Sequence, residues 1–381
     1  MRKNRLLIGI GVVLLLLAVV YSCLPFYMRQ ALIYWFPDIS DTYIFASNRV
    51  EKADSCWDFP ASTYFNTYEM TKEECDFMDE MQTVSFLVIQ SDSVLYEEYR
   101  DGWTPETLSN IFSATKSIVG LLVGIAHQEG YIESLDDKVG KYLPEFNEGD
   151  KSKITVRNLL TMGSGLNWDE AYTALISKTT EAYYGNNIRD LVMNLEPVEE
   201  PGVRYSYKSG DTQLLSFVLE AAIPVTISEY AEEKLWKPIQ TGNDALWNLD
   251  REGGDEKTYC CFNTTARDLA HLGRLVLHHG NWNGRQVIAE EYVQEAISPA
   301  SYLENEFGDG PLDYYGFQIW VVHYKGLTFP AFRGLGGQYL FMIPQKNAIV
   351  VRLGHKRSDV YDREKTMDLD QYLDIAFKIL Q

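Results

Sequence analysis

Hydrophobic positions divide this chain into segments of three kinds. The first is Leu6–Tyr21 (LLIGIGVVLLLLAVVY), apolar without interruption and preceded by Arg2, Lys3 and Arg5. The apolar character runs on through Leu24, Pro25, Phe26 and Tyr27, long enough to span a bilayer at roughly 20 residues. A basic flank before such a run marks a signal anchor or signal peptide, and no small-x-small cleavage site interrupts it. A lipoprotein signal acylated at Cys23 is the alternative, which Val20 and Tyr21 fit poorly. In each case the positive residues stay inside and the rest of the chain lies on the extracytoplasmic side. Residues 1–27 are therefore set apart as a signal anchor, and 28–80, aromatic and acidic without clear period, as a membrane-proximal extension with a short helix around Thr71–Met81.

The second kind of segment alternates or runs apolar over five to ten residues. Val84–Gln90 and Val94–Tyr99 flank Ser91-Asp92-Ser93, which predicts a hairpin. Strands are also expected at Tyr315–Tyr324, Gln338–Ile343 and Ala348–Leu353. The third kind carries helical spacing: Ile118–Ile132, with Gly120 and Gly124 four apart, most of 154–297, and Asp368–Leu380, which opens on acids as the helix dipole favours. Strands thus open and close a domain at 81–381 with helices between them. An α+β fold follows, in which strands from both ends share one antiparallel sheet and the middle forms a helical lobe. No internal repeat is present.

Composition narrows the function. The 381 residues carry 34 Lys+Arg against 54 Asp+Glu, a net charge of −20, which excludes a surface built to track nucleic-acid phosphates. Five cysteines are too few for a disulfide scaffold; a Cys56–Cys75 bridge is open in an oxidising compartment. Cys260-Cys261 lack spaced partners, so no metal site is expected there. His271, His278 and His279 read as surface residues. Neither a G-x-S-x-G elbow nor a nucleotide fingerprint occurs.

The chemistry-bearing residues fall in three places. Ser113-Ala-Thr-Lys116 opens the apolar helix, and a spacing of three puts both side chains on one face. The positive end of the helix favours negative charge on the serine oxygen. Apolar neighbours push a lysine toward its neutral form, able to accept a proton. Tyr207-Lys208-Ser209 lies in a turn, and Arg333-Gly-Leu-Gly-Gly-Gln338 is a glycine-rich entry into a strand whose N–H groups can face an anion. Trp168, Tyr172, Tyr183 and Tyr184 are candidates for the rim of a pocket.

In that order, Ser113–Lys116, Tyr207–Ser209 and Gly334–Gln338 resemble the three motifs of class C β-lactamase-related serine hydrolases, which include penicillin-recognising enzymes, esterases and 6-aminohexanoate-dimer hydrolases. Ile154–Leu166 and Gly316–Trp320 add to the resemblance, which covers residues 80–355. It implies a β-lactamase/penicillin-binding-protein-like fold and catalysis through an acyl-enzyme, with no cofactor and no metal. By it, Ser113 is the nucleophile, Lys116 its proton acceptor and Tyr207 the acid and base of the leaving group and water. The backbone N–H groups of Ser113 and Gln338 form the oxyanion hole, with Gly336 and Gly337 beside them. The family's asparagine is Ser209 here, and its cation or imidazole is Leu335, which counts against β-lactam turnover and against a D-alanyl-D-alanine peptidase. The expected protein is a membrane-anchored hydrolase of a small ester, amide or peptide. The alternatives are that peptidase or β-lactamase, and a catalytically silent ligand binder.

Overall fold

The structure, a computed structural model, describes residues 2–381; Met1, the first residue of the expected anchor, lies outside them. Arg2–Cys23 is one continuous helix. Its stretch Arg5–Cys23 is long and apolar enough to cross a membrane, with mean hydropathy 2.8 and no residue of the apolar window buried.

The main sheet has six antiparallel strands. Their spatial order is Ser93–Tyr99, Thr83–Gln90, Ala348–Gly354, Gln338–Ile343, Leu327–Gly334, Trp320–Tyr324. The two ends of the chain meet where Ala348–Gly354 pairs with Thr83–Gln90. The hairpin turns on Ser91 and Asp92, both with positive φ (49° and 58°), the geometry that matches strand twist in a two-residue loop. Arg274 anchors the turn by gripping Asp92 from 2.8 and 2.9 Å.

Both faces of this sheet are covered, which is why its strands read as near-continuous apolar runs. Leu87, Ile89, Leu340, Met342, Ile349 and Val351 face the large core that contains helix Ala266–Leu277. Phe86, Val88, Phe341 and Val350 face the C-terminal helix Met367–Ile379 through Leu369, Tyr372, Leu373 and Ala376. The helical lobe centres on Thr115–Gln128 and Ser209–Ala222. A second sheet of four short strands joins Ser47–Val50, Ala245–Asn248, Phe262–Thr264 and Ser109–Asn110.

Several expectations need correction. The segment 28–80 is part of the body rather than an extension. Ile39, Val50 and Phe59 are buried in the large core, and Ser47–Val50 pairs with Ala245–Asn248. Its helix is Lys72–Glu80, closed by a Thr71/Glu74 capping box. The strand expected over 315–324 begins only at Trp320, because Gln318 turns at φ 58°. There it stitches the lobe together, accepting from Thr212 Oγ1 at 2.7 Å and donating to the Leu159 carbonyl at 2.8 Å. Cys56 and Cys75 are free, and the one disulfide among the described residues joins Cys260 to Cys261. His271 is buried in a cage of Trp57, Phe59 and Trp282, where desolvation holds its pKa down to about 4.

Candidate active site

Ser113 sits on the single 3-10 turn Phe112–Ala114 that feeds helix Thr115–Gln128. The second sheet fixes this turn: Ile111 N donates to the Phe262 carbonyl at 3.0 Å, and Phe262 N donates to Thr115 Oγ1 at 3.2 Å. Phe112, just before the serine, holds φ 45°. A bulky residue in the left-handed region is strained, and such strain persists where surrounding structure over-determines it.

Lys116 is 1% exposed. Its ammonium nitrogen donates to Ser113 Oγ at 2.8 Å and to the Tyr259 carbonyl at 2.7 Å. Burial lowers its pKa to about 8, with the Glu170 carboxylate pulling the other way. At pH 7 about a tenth of it is therefore neutral and ready to accept a proton, far more than for an ordinary lysine. Its nitrogen also lies 5.0 Å from the centre of the Tyr207 ring.

Tyr207 packs on Trp320, ring centres 5.3 Å apart, and against Tyr315 at 6.1 Å. Burial first, and then Glu170, hold its phenol well above the ordinary value, while a hydrogen bond to Ser113 acts in the opposite direction. The resting side chain is thus a protonated acid. Its chain neighbour Lys208 turns away, buried, with Nζ donating to the Ser206 carbonyl at 3.2 Å.

Ser209 opens helix Ser209–Ala222 and is tied to Glu170, not to the lysine. Its N–H donates to Glu170 Oε2 at 2.7 Å and its hydroxyl to Oε1 at 2.6 Å. Trp168 Nε1 and the Tyr172 hydroxyl each donate to the same carboxylate at 2.7 Å. Four donors thus converge on one acid that sequence reasoning missed. The signal was Trp168-x-Glu170-x-Tyr172, alternate positions that share one face of an extended segment. Gly210 lets the Trp168 indole approach the helix, since a Cβ there would meet its ring at 2.6 Å.

The glycine-rich entry divides into two parts. Gly334 and Leu335 line the cleft beside Ser113, and a Cβ on Gly334 would strike the Ile111 carbonyl at 2.2 Å. Gly336, Gly337 and Gln338 lie behind that wall. Arg352 takes the carbonyls of both glycines. Gln338 is fully buried and spends its amide on the Leu335 and Gly354 carbonyls at 2.8 and 2.6 Å. The cleft does hold cations despite Leu335: Arg333, stacked 4.3 Å from the Trp320 ring centre, and Arg357 both line it.

Two cavities meet at Ser113, Tyr172 and Leu335. One, of about 470 Å³, is polar and includes Glu170, Tyr207, Arg333 and Arg357. The other, of about 210 Å³, is largely apolar and is bounded by Ala31, Leu32, Trp35, Ala174, Tyr183 and Tyr184 among others. Tyr183 and Tyr184 line the apolar cavity, and Trp168 lines the polar one.

This sheet flanked by helices is a fold shared by solved structures named as hydrolases and penicillin-binding proteins. A Bacillus anthracis structure provisionally assigned as a 6-aminohexanoate-dimer hydrolase superposes over 92% of this chain and 94% of its own, with TM-score 0.76 and 19% identity. A family VIII carboxylesterase matches 82% of this chain and 99% of its own, at TM-score 0.61 and 15% identity. In sequence, the 6-aminohexanoate-dimer hydrolase of Paenarthrobacter ureafaciens is 26% identical over 296 residues, 72% of this chain and 73% of that protein. The beta-lactamase family model matches residues 70–373, and the chain belongs to that family, as an enzyme of the serine hydrolase type.

Proposed function

We propose that this protein is a membrane-anchored hydrolase that cleaves a small ester or amide through an acyl-enzyme on Ser113. The observation that carries the reading is the 2.8 Å contact between the Lys116 ammonium nitrogen and Ser113 Oγ, with the lysine buried and its pKa lowered to about 8. Neutral Lys116 takes the hydroxyl proton as Oγ bonds to the substrate carbonyl carbon. The tetrahedral oxygen is held by the backbone N–H groups of Ser113 and Leu335, the residue that borders the cleft in place of the expected Gln338. On collapse the C–O or C–N bond breaks and the leaving group takes a proton from Tyr207, whose raised pKa suits a donor. Lys116 reprotonates the phenol, and a water that gives up its proton to the same pair releases the acid.

Helix Arg2–Cys23 supports the anchor and an extracytoplasmic catalytic body. Arg333 and Arg357 in the polar cleft soften the case against a carboxylate-bearing substrate made from Leu335 alone. The test is labelling with a fluorophosphonate and mass mapping of the modified residue. The expected adduct is on Ser113, and Ser113→Ala is expected to lose both the label and at least about 10⁴-fold in turnover. Full hydrolysis by that variant would discard the mechanism.

A further inference from the structure

The two cavities that meet at Ser113 differ in chemistry, and the difference assigns the two halves of the substrate. Tyr207, the leaving-group acid in the reading above, lines the polar cavity and not the apolar one. The leaving group therefore departs into the polar side, and the acyl group occupies the apolar side. The geometry points to an aliphatic acyl chain of medium length or longer, joined to a polar leaving group: an amphiphile such as a bilayer supplies. This inference rests on the hydrolase reading and deepens it.

Three observations carry the assignment. First, the apolar cavity is closed by the segment that follows the candidate membrane span. Only Leu24 and Pro25 separate helix Arg2–Cys23 from helix Phe26–Tyr34, and Ala31, Leu32, Trp35 and Phe36 form one of its walls. That wall is fastened to the body: Tyr34 stacks on Tyr184 with ring centres 6.4 Å apart, and the Tyr184 hydroxyl donates to the Trp35 carbonyl at 3.3 Å.

Second, the rim of this cavity is apolar and bare. Trp35 is 67% exposed, and Leu32, Phe36 and Leu175 of the same lining are also open to solvent. Large apolar side chains exposed around one cavity mouth are the kind of surface that contacts lipid or an apolar ligand. Aromatic residues directly after a membrane span also suit the interfacial layer.

Third, most hydroxyls in the cavity wall are already committed, those of Tyr172 and Ser209 to Glu170 and those of Thr179 and Thr180 to backbone carbonyls, while the Tyr259 hydroxyl is buried without a partner. Phe112, Ala174, Tyr183 and Leu335 offer carbon or ring surface along its length, and the Tyr183 hydroxyl is already committed to Asp41 at 3.0 Å. Charged groups are gathered on the other side of Ser113, where Glu170, Glu306, Arg333, Arg357 and Arg363 border the polar cavity.

The experiment measures kcat/KM for p-nitrophenyl acetate, butyrate, octanoate and dodecanoate with the full chain in phosphatidylcholine nanodiscs, alongside Ala31→Trp and Ala174→Trp. Each added methylene is expected to raise kcat/KM by up to about fourfold, the ordinary worth of a buried CH₂ group, until the cavity is filled. Both substitutions are expected to cut the octanoate-to-acetate ratio at least tenfold. A flat or falling profile in an enzyme whose Ser113 still takes a fluorophosphonate overturns the acyl-chain assignment and leaves the hydrolase reading standing. A rising profile that folded, labelled variants do not alter overturns it too, because the chain then lies elsewhere. If neither variant folds, the wild-type profile decides alone. Absence of both label and hydrolysis removes the hydrolase reading, and this inference with it.

Discussion

Two lysines in this molecule are buried to nearly the same degree, and only one stands beside a nucleophile. Lys116 is 1% exposed with its pKa lowered to about 8; Lys257 is 0% exposed with its pKa lowered to about 7, also by burial, with Asp250 opposing. Each spends hydrogen bonds on backbone carbonyls: Lys116 on Tyr259, Lys257 on Ala182 and Gly185. By perturbation alone Lys257 would be the stronger candidate for catalysis. Its nitrogen faces carbonyls and the Phe45 ring, and it borders neither of the cavities that meet at Ser113. Lys116 instead reaches Ser113 Oγ and opens through it onto both. A depressed pKa reports desolvation; what makes a lysine a base is the hydroxyl within reach.

The comparison breaks most visibly by deletion of each lysine in turn. Lys116→Ala is expected to reduce kcat/KM by about 10⁴-fold, close to the cost of losing the serine, because the pair acts as a unit. Lys257→Met is expected to leave kcat/KM within about twofold and to cost about 1–3 kcal/mol of stability, the Ala182 carbonyl losing its buried donor. Chemical denaturation alongside ester hydrolysis separates the two. An activity loss in Lys257→Met comparable with that of Lys116→Ala would erase the distinction.

Acidity sharpens the contrast, since the two groups act on different observables. Acylation needs neutral Lys116, so kcat/KM is expected to rise with pH at unit slope and level off above about pH 8. Lys257 acts on folding. Its folded pKa of about 7 lies below the ordinary 10.5, so between those values the unfolded chain holds the extra proton and stability rises with pH. Lys257→Met is expected to remove that part of the slope and to leave the activity limb at about pH 8. A limb that moved with Lys257→Met would show that the two sites are coupled.

What could be read from the residues follows the range of the contacts. Ser113 and Lys116 were legible because three residues on one helix bring side chains together without help from the rest of the fold. The hairpin at Ser91-Asp92 and the C-terminal helix were legible for the same reason. Strand Leu327–Gly334 escaped because Pro330 lies within it, and proline argues against an interior strand. It is tolerated between Trp320–Tyr324 and Gln338–Ile343, where Pro330 stands opposite Val321. Residues 28–80 showed no period because they join the body piecemeal: the Ile39 carbonyl accepts from Asn110 N, Val50 stands opposite Ala245 and Phe59 packs on His271. Gln338 was misplaced by motif spacing: the turn through Gly336 and Gly337, both with positive φ, carries it behind the wall that Leu335 forms.

Glu170 is the hardest case of all, since its four donors come from its own strip and from a helix start 39 residues away, and it supplies the smallest predicted effect. Its charge raises the pKa of both Lys116 and Tyr207, while its oxygens hold Ser209, Trp168 and Tyr172 in place. Glu170→Gln keeps the shape and most of the hydrogen-bonding reach but removes the charge. Without that charge the lysine loses its proton more readily, so the rising limb of the kcat/KM profile is expected to move below about pH 8, the same direction in which burial already shifts it. The plateau is expected to fall by about tenfold, the worth of one charge-assisted hydrogen bond in the wall of the site. A merely structural carboxylate would lower the plateau and leave the limb where it was. The pH profile of the variant, rather than its activity at one pH, therefore decides whether Glu170 tunes the Ser113–Lys116 pair or only braces the cleft around it.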